Sequence, residues 1–245
     1  MSERLQNYGY RARIGYTSPP ATTEVFPYEF YMTVPKGVTL VLTTVGIVDM
    51  TPAEIDQAYL LSVQAAKAMK RAGIDLLVLG GVPINLSRGF DNVDSLIRET
   101  EEAIGLPVTT SITAQIGALR RMGAKNVAVG HPFTPQHDGM FYEYLEHYGF
   151  ASTGMGRIGG GAIDLGKIPG STTLDLGRQL LRDNPQADTL WLPCPHWAAA
   201  EAIEPLEQEF GVTVITANQA ICWDALRRVG IDDRLEGRGR LLRDA

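Results

Sequence analysis

Cysteine is scarce in this chain: two residues among 245, Cys194 and Cys222. They form no CxxC pair and no cluster with metal-ligand spacing. The four histidines (His131, His137, His147 and His196) make no HExxH or related signature. Nothing visible therefore requires a metal or an organic cofactor. No apolar run reaches membrane length, and no signal-peptide pattern is present. A cytoplasmic, reducing setting follows as the expectation, with both thiols free. Basic runs are missing as well, and the net charge is −6. That balance argues against nucleic acid as the main partner. It leaves an anionic small molecule open, because local donors can outweigh global charge. Gly159-Gly-Gly161 lacks a following Gly-Lys-Ser/Thr, so it is not a phosphate loop; it reads as a surface turn or a mobile cleft wall.

What is present is ordinary in bulk and unusual in arrangement. Hydrophobic residues make up 44% and charged residues 20%, as in a soluble globular protein of one large or two small domains. Within that composition, two segments copy each other. Asp75-Leu-Leu-Val-Leu-Gly-Gly81-Val-Pro83 corresponds to Asp188-Thr-Leu-Trp-Leu-Pro-Cys194-Pro-His196, at an offset of 113 (188 − 75). Ile14 to Pro19 and Val127 to Pro132 share the same offset. Gly105 to Ala114 matches Gly211 to Ala220, offset 106 (211 − 105), and each copy runs on into Ala-Leu-Arg-Arg-x-Gly. A repeat of roughly 110 residues indicates a duplicated domain, since solenoid units are far shorter.

The local pattern is strand, loop, helix. Strands are expected at Arg13–Tyr16, Thr39–Thr44, Leu76–Leu79, Val108–Thr110, Asn126–Val129, Leu190–Leu192 and Thr213–Thr216. Helices are expected at Pro52–Arg71, Asn92–Ile104, Ala114–Met122, Gly139–Tyr148, Thr172–Arg182, Trp197–Phe210 and Ala220–Val229. The fold class is thus α/β: two pseudo-symmetric halves with parallel sheets, residues 1–117 plus 218–245 forming one and 118–217 the other. Such sheets bind ligands beyond the carboxyl ends of their strands, so the site belongs in the cleft between the halves.

The duplicated turns are identical in kind except that Gly81 faces Cys194 in the alignment. Cys194 stands before an expected helix start near His196 or Trp197, where orphan N–H groups favour a thiolate. His196 could add charge or relay a proton. The competing reading of Cys194 is a buried small residue, the usual state of a free cysteine; burial is the preferred reading of Cys222. Thr110, Ser111 and Thr113 could offer hydroxyls to a carboxylate or simply cap a helix. Ile47, Val48 and Met50 suit either an apolar pocket or the core. Asp49, Asp75 and Asp188 lie near strand ends without the spacing of an acid/base dyad.

These residues resemble the aspartate/glutamate racemase superfamily, in its arylmalonate decarboxylase and maleate cis–trans isomerase branch. The likeness is carried by Ile14-Gly with Pro19-Pro20-Ala21, by Thr51-Pro52, by Leu192-Pro-Cys194 with Ala202-Ile-Glu-Pro205, and by Trp223-Asp224-Ala225. In that superfamily, racemases and maleate isomerases use two facing cysteines, whereas arylmalonate decarboxylases keep the second and have glycine at the first. Gly81 with Cys194 fits the decarboxylase pattern. The resemblance implies a cofactor-independent lyase acting on a small carboxylate, with Cys194 as proton donor to a carbanion. A maleate-type isomerase with Cys194 as nucleophile is the alternative, and a catalytically reduced ligand-binding homologue a further one. The expected site has Cys194 and His196 as catalytic residues. Its substrate wall is Pro19, Pro20, Gly81, Val82, Pro83, Ser111, His131, Phe133 and Pro195. Val82, Pro83 and Phe133 stand where the decarboxylases have Thr, Ser and Tyr donors for the retained carboxylate. Replacement donors would come from Thr17, Ser18, Ser111, Thr113, His131 or His196.

Overall fold

The computed structural model describes residues 8–245. Among them, eight strands form two four-stranded parallel sheets. The first sheet has β1 (Ala12–Pro20), β2 (Val38–Ile47), β3 (Leu76–Leu79) and β4 (Val108–Thr110), in the order β2-β1-β3-β4. The second has β5 (Asn126–His131), β6 (Ala151–Arg157), β7 (Thr189–Leu192) and β8 (Thr213–Thr216), in the order β6-β5-β7-β8. The two orders are the same pattern shifted by four strands, as the repeat requires.

The repeated aspartates explain part of the register. Asp75 accepts the backbone N–H of Arg13 at 2.8 Å, tying the start of β3 to β1. Asp188 accepts those of Lys125 at 3.1 Å and Asn126 at 2.9 Å, tying the start of β7 to β5. Both carboxylates thus sit at the amino ends of the strands, away from the cleft. The repeat also sets the caps. Thr110 opens α5 (Ser111–Arg121) by accepting the Thr113 N–H, and Thr216 opens α9 (Ala217–Arg228) by accepting that of Gln219. A threonine hydroxyl satisfies one of the orphan donors of the first turn in each case.

The remaining helices cover the sheets. They are α1 (Val25–Thr33), α2 (Pro52–Arg71), α3 (Val82–Leu86), α4 (Val93–Ile104), α6 (Asp138–Tyr148), α7 (Gly170–Asp183), α8 (Ile203–Phe210) and α10 (Arg240–Asp244). Helix α9, near the end of the chain, packs against α1 and α5. Its Ile221, Cys222 and Leu226 share a core with Tyr16, Phe26 and Phe30. A second core joins the halves, bringing Ile112 and Ile116 of α5 against Trp191 of β7 and Ile215 of β8. Trp191 also donates its indole N–H to Gln115 Oε1 at 2.9 Å. No helix of the described residues is long and apolar enough to cross a membrane.

Several expectations change, and α3 and α10 lie where no helix was expected. Strand β6 was not anticipated: Ala151-Ser-Thr-Gly-Met-Gly-Arg157 has no β-branched aliphatic residue and lies at a sheet edge, half-exposed throughout. Helix α1 was not anticipated either. Its sequence, Val-Phe-Pro-Tyr-Glu-Phe-Tyr-Met-Thr, is apolar on most sides and carries a proline in the first turn, where the missing N–H has no cost. The helix expected from Trp197 starts only at Ile203, after a turn and a short 3₁₀ segment, Ala200–Ala202.

Candidate active site

The carboxyl ends of β1, β3, β5 and β7 converge on an apolar cavity of about 70 Å³. Cys194 lies on one wall and Gly81 on another. Pro19 and Pro20 come from the end of β1, Val82 and Pro83 from the start of α3, Phe133 from the loop after β5, and Pro195 and His196 from the turn after β7. Of the expected site residues, only Ser111 and His131 are outside this wall. Ser111 is fully buried, and its Oγ accepts from Gln115 Nε2 at 3.1 Å. His131 sits behind the wall: its ring stacks on Phe141 with centroids 4.8 Å apart, and Nε2 lies 2.9 Å from Asp138 Oδ1. Ile47 and Met50 also line the cavity, while Val48 does not.

Sequence reasoning missed Ile84, Met140, Phe141 and Leu165 in the lining. Ile84, Met140 and Phe141 belong to helices whose apolar positions carry no mark that separates a cavity face from a core face. It also missed Thr23, Glu29 and Asn218, which support the wall from behind.

Gly81 has φ of +84°, a conformation that L side chains rarely adopt. A Cβ placed there would come within 2.5 Å of Pro19 Cγ. Glycine is therefore demanded twice, by the backbone and by the proline opposite. Val82 and Pro83 then begin α3, where a proline in the first turn forfeits no helical bond.

Cys194 is 4% exposed, and burial pushes its thiol up to about 12. The backbone N–H groups of His196 and Trp197 reach the sulfur and favour its charged form, but Glu29 opposes them. The sequence led to a thiolate at a helix start. The structure has instead a tight turn whose two N–H groups do not offset the loss of water, so the group is a neutral thiol.

His196 is neutral as well. Burial lowers its pKa to about 3, so it supplies no positive charge to the sulfur. Its Nδ1 lies 3.2 Å from Thr23 Oγ1, and its Nε2 is buried without a partner. Besides the thiol, it is the one polar side chain in the cavity lining. Three other candidates have local partners. Thr17 Oγ1 accepts from the Gly80 N–H at 3.1 Å, Thr113 pairs with Thr110 at 2.8 Å, and His131 is held by Asp138. Ser18 is fully buried, with Oγ unpartnered. Among the described residues, no group of three or more His, Cys, Asp or Glu side chains is arranged to hold a metal ion.

Comparison with known proteins adds the family context. A family model described as arylmalonate decarboxylase matches residues 14–242. The chain is 26% identical to arylmalonate decarboxylase of Bordetella bronchiseptica over 186 residues, 76% of this chain and 78% of that protein. It is 29% identical to maleate isomerase of Nocardia farcinica (strain IFM 10152) over 138 residues, 56% of this chain and 54% of that protein. The structure of unliganded arylmalonate decarboxylase superposes with a TM-score of 0.85 at 25% identity, covering 96% of this chain and 100% of the other.

Proposed function

The chain belongs to the arylmalonate decarboxylase family, and from that membership we propose a cofactor-independent lyase that removes CO₂ from a small carboxylate and uses Cys194 as its proton donor. One observation carries this reading: a single neutral thiol lines an apolar cavity whose opposite wall holds glycine at the duplicated position. A protonated sulfur can give a proton to a carbanion, whereas a nucleophile must already have lost it.

The apolar wall favours the first step. The departing carboxylate is poorly solvated there and becomes neutral as CO₂, its charge passing to the retained group until the α-carbon is protonated. The C–C bond to the departing carboxylate breaks, and its electron pair passes into the retained carboxylate as an enediolate. The α-carbon then takes the Cys194 proton. The His196 and Trp197 N–H groups stabilise the thiolate left behind, and solvent returns its proton. With Val82, Pro83 and Phe133 offering no side-chain donor, His196 is the group that meets the retained carboxylate, as a neutral imidazole. Pro19, Pro20, Gly81 and Pro195 shape the space around it. Ser111 and His131 act from behind the wall.

The cavity also limits the substrate. The apolar lining of Ile47, Met50, Ile84, Phe133 and Leu165 suits an apolar substituent on the α-carbon. Residues 1–117 with 218–245 and residues 118–217 form the two halves in this reading, and the packing of α9 against α1 and α5 supports the division. The protein works in the cytoplasm, where both thiols stay reduced.

Proton NMR in D₂O with a panel of alkylmalonates, arylmalonates and maleate, with Cys194→Ala alongside, tests the proposal. Deuterium at the α-carbon of a decarboxylated product, formed only by the unmutated protein, is the expected result. The maleate isomerase relative motivates the second reading, in which sulfur adds to a double bond, the new single bond rotates, and sulfur leaves. A transient thioether on Cys194, seen by mass spectrometry with maleate, would establish that chemistry in place of decarboxylation.

A further inference from the structure

The turn that carries Cys194 is held by a residue from the other half of the molecule. Glu29 of α1 is 4% exposed. Its Oε1 accepts the backbone N–H groups of Ala199 at 2.7 Å and Ala200 at 2.9 Å. Its Oε2 accepts from Asn218 Nδ2 at 2.6 Å. The same Nδ2 donates to the Pro195 carbonyl at 3.1 Å. One carboxylate and one amide thus fix both flanks of the segment Pro195–Ala200, which begins beside the thiol.

The charge state of Glu29 follows from its partners. Two of the three donors are backbone N–H groups. The third is the amide nitrogen of Asn218, whose orientation is set by its second acceptor, the Pro195 carbonyl. Burial raises the Glu29 pKa, and the Ala200 N–H, the Asn218 amide and the Ala199 N–H work against that rise; a protonated carboxyl would bring an O–H among donors alone, so the set fits the carboxylate. We propose that Glu29 is a positioning residue, which from the first half of the molecule fixes the Cys194 turn and aims the thiol into the cavity. The inference rests on the proposed role of Cys194 as proton donor.

The position has an electrostatic consequence. A buried carboxylate near a thiol penalises its ionisation. The charge of Glu29 acts on Cys194, and also on Cys222 of α9. The other titratable groups around this cluster are Tyr16 of β1, which faces both thiols, His196 in the turn itself, and Glu201, which faces Glu29 from the 3₁₀ segment. Tyr16 and His196 are neutral at working pH. Burial is the larger cause of the raised thiol, and the charge of Glu29 adds to it while the carboxylate holds the turn in place.

Two variants separate these effects, read by peptide-resolved iodoacetamide alkylation of Cys194 against pH, with amide exchange at Ala199 and Ala200. Glu29→Gln removes the charge and sets an amide NH₂ against that of Asn218. The alkylation midpoint is expected to fall, with the rate at fixed alkaline pH rising at least about threefold, half a unit's worth. Glu29→Asp keeps the charge but withdraws it by one methylene. It is expected to leave the midpoint in place and to speed amide exchange at Ala199 and Ala200 by about tenfold, one 1.4 kcal/mol step in local opening. With a turned-over malonate, it also lowers kcat at constant KM. A Glu29→Gln profile that superimposes on that of the unmodified protein would overturn the charge effect. Unchanged exchange in Glu29→Asp would overturn the positioning role, even if Glu29→Gln fails to fold. Alkylation and exchange need no substrate, so these outcomes are distinct from failure of the decarboxylase reading.

Discussion

Cys194→Ala should lower turnover by about 10²–10⁴-fold, the range of a positioned proton donor, with little change in KM. The raised thiol predicts that activity does not decline on its account between neutral pH and pH 9. Stability behaves differently. The folded thiol ionises near 12 against an ordinary value of 9.0, so the unfolded chain loses this proton first. The thiol's contribution is complete below pH 9 and is lost as pH rises towards 12. His196 has the opposite sign. Its folded value is about 3 against 6.5, so stability is lost as pH falls below 6.5 towards 3. His196→Gln should flatten the acid limb in urea titrations at successive pH values; an unchanged limb would show that other groups set it. The thiol itself was legible in the sequence because its copy, Gly81, broke a repeat. Its protonation was not, since that depends first on burial by the tertiary fold and then on Glu29, which is 165 residues away in the chain (194 − 29).

At the scale of elements, the turn after β3 resists conversion to a two-thiol site. Gly81→Cys would force a side chain onto a backbone at φ +84° and against Pro19. That conformation costs of order 1–3 kcal/mol. At roughly 2–4 °C per kcal/mol for a chain of this size, the melting temperature should fall by about 2–12 °C. Adding Pro19→Ala should recover part of the loss in a thermal melt, because it removes the clash and leaves the φ penalty. The strands that position this turn were readable from their branched apolar residues, as at Leu76–Leu79. Strand β6 was not, because an edge strand of Ala, Ser, Thr, Gly and Arg with a single large apolar residue, Met155, carries no core-facing period. The segment after Cys194 was misread for a related reason. Trp197, Ala199 and Ala202 are buried apolar residues, and a buried turn and a buried helix look alike in composition.

Across the whole molecule, the duplication was the most legible feature, and what joins the copies was the least. Asp75 with Asp188, and Thr110 with Thr216, perform the same local tasks in each half. The contact between halves follows the repeat in outline, α5 packing on the second sheet and α9 on the first, but its details differ: Trp191 reaches Gln115, and Ile112, Ile116, Val129 and Ile215 close around it. A shared core predicts one cooperative unfolding transition. Circular dichroism and tryptophan emission should coincide in denaturant; two separated transitions would contradict it. The same core bears on molecular traffic. Two lobes with independent cores can swing apart to admit a guest, whereas lobes that own a core in common would have to tear it open. Entry and exit here belong to the rim, where Met50 holds a left-handed backbone at φ +57° beside the cavity. The pace of exchange is then set by a few rim side chains stepping aside, and the width of that doorway sorts guests before the chemistry does.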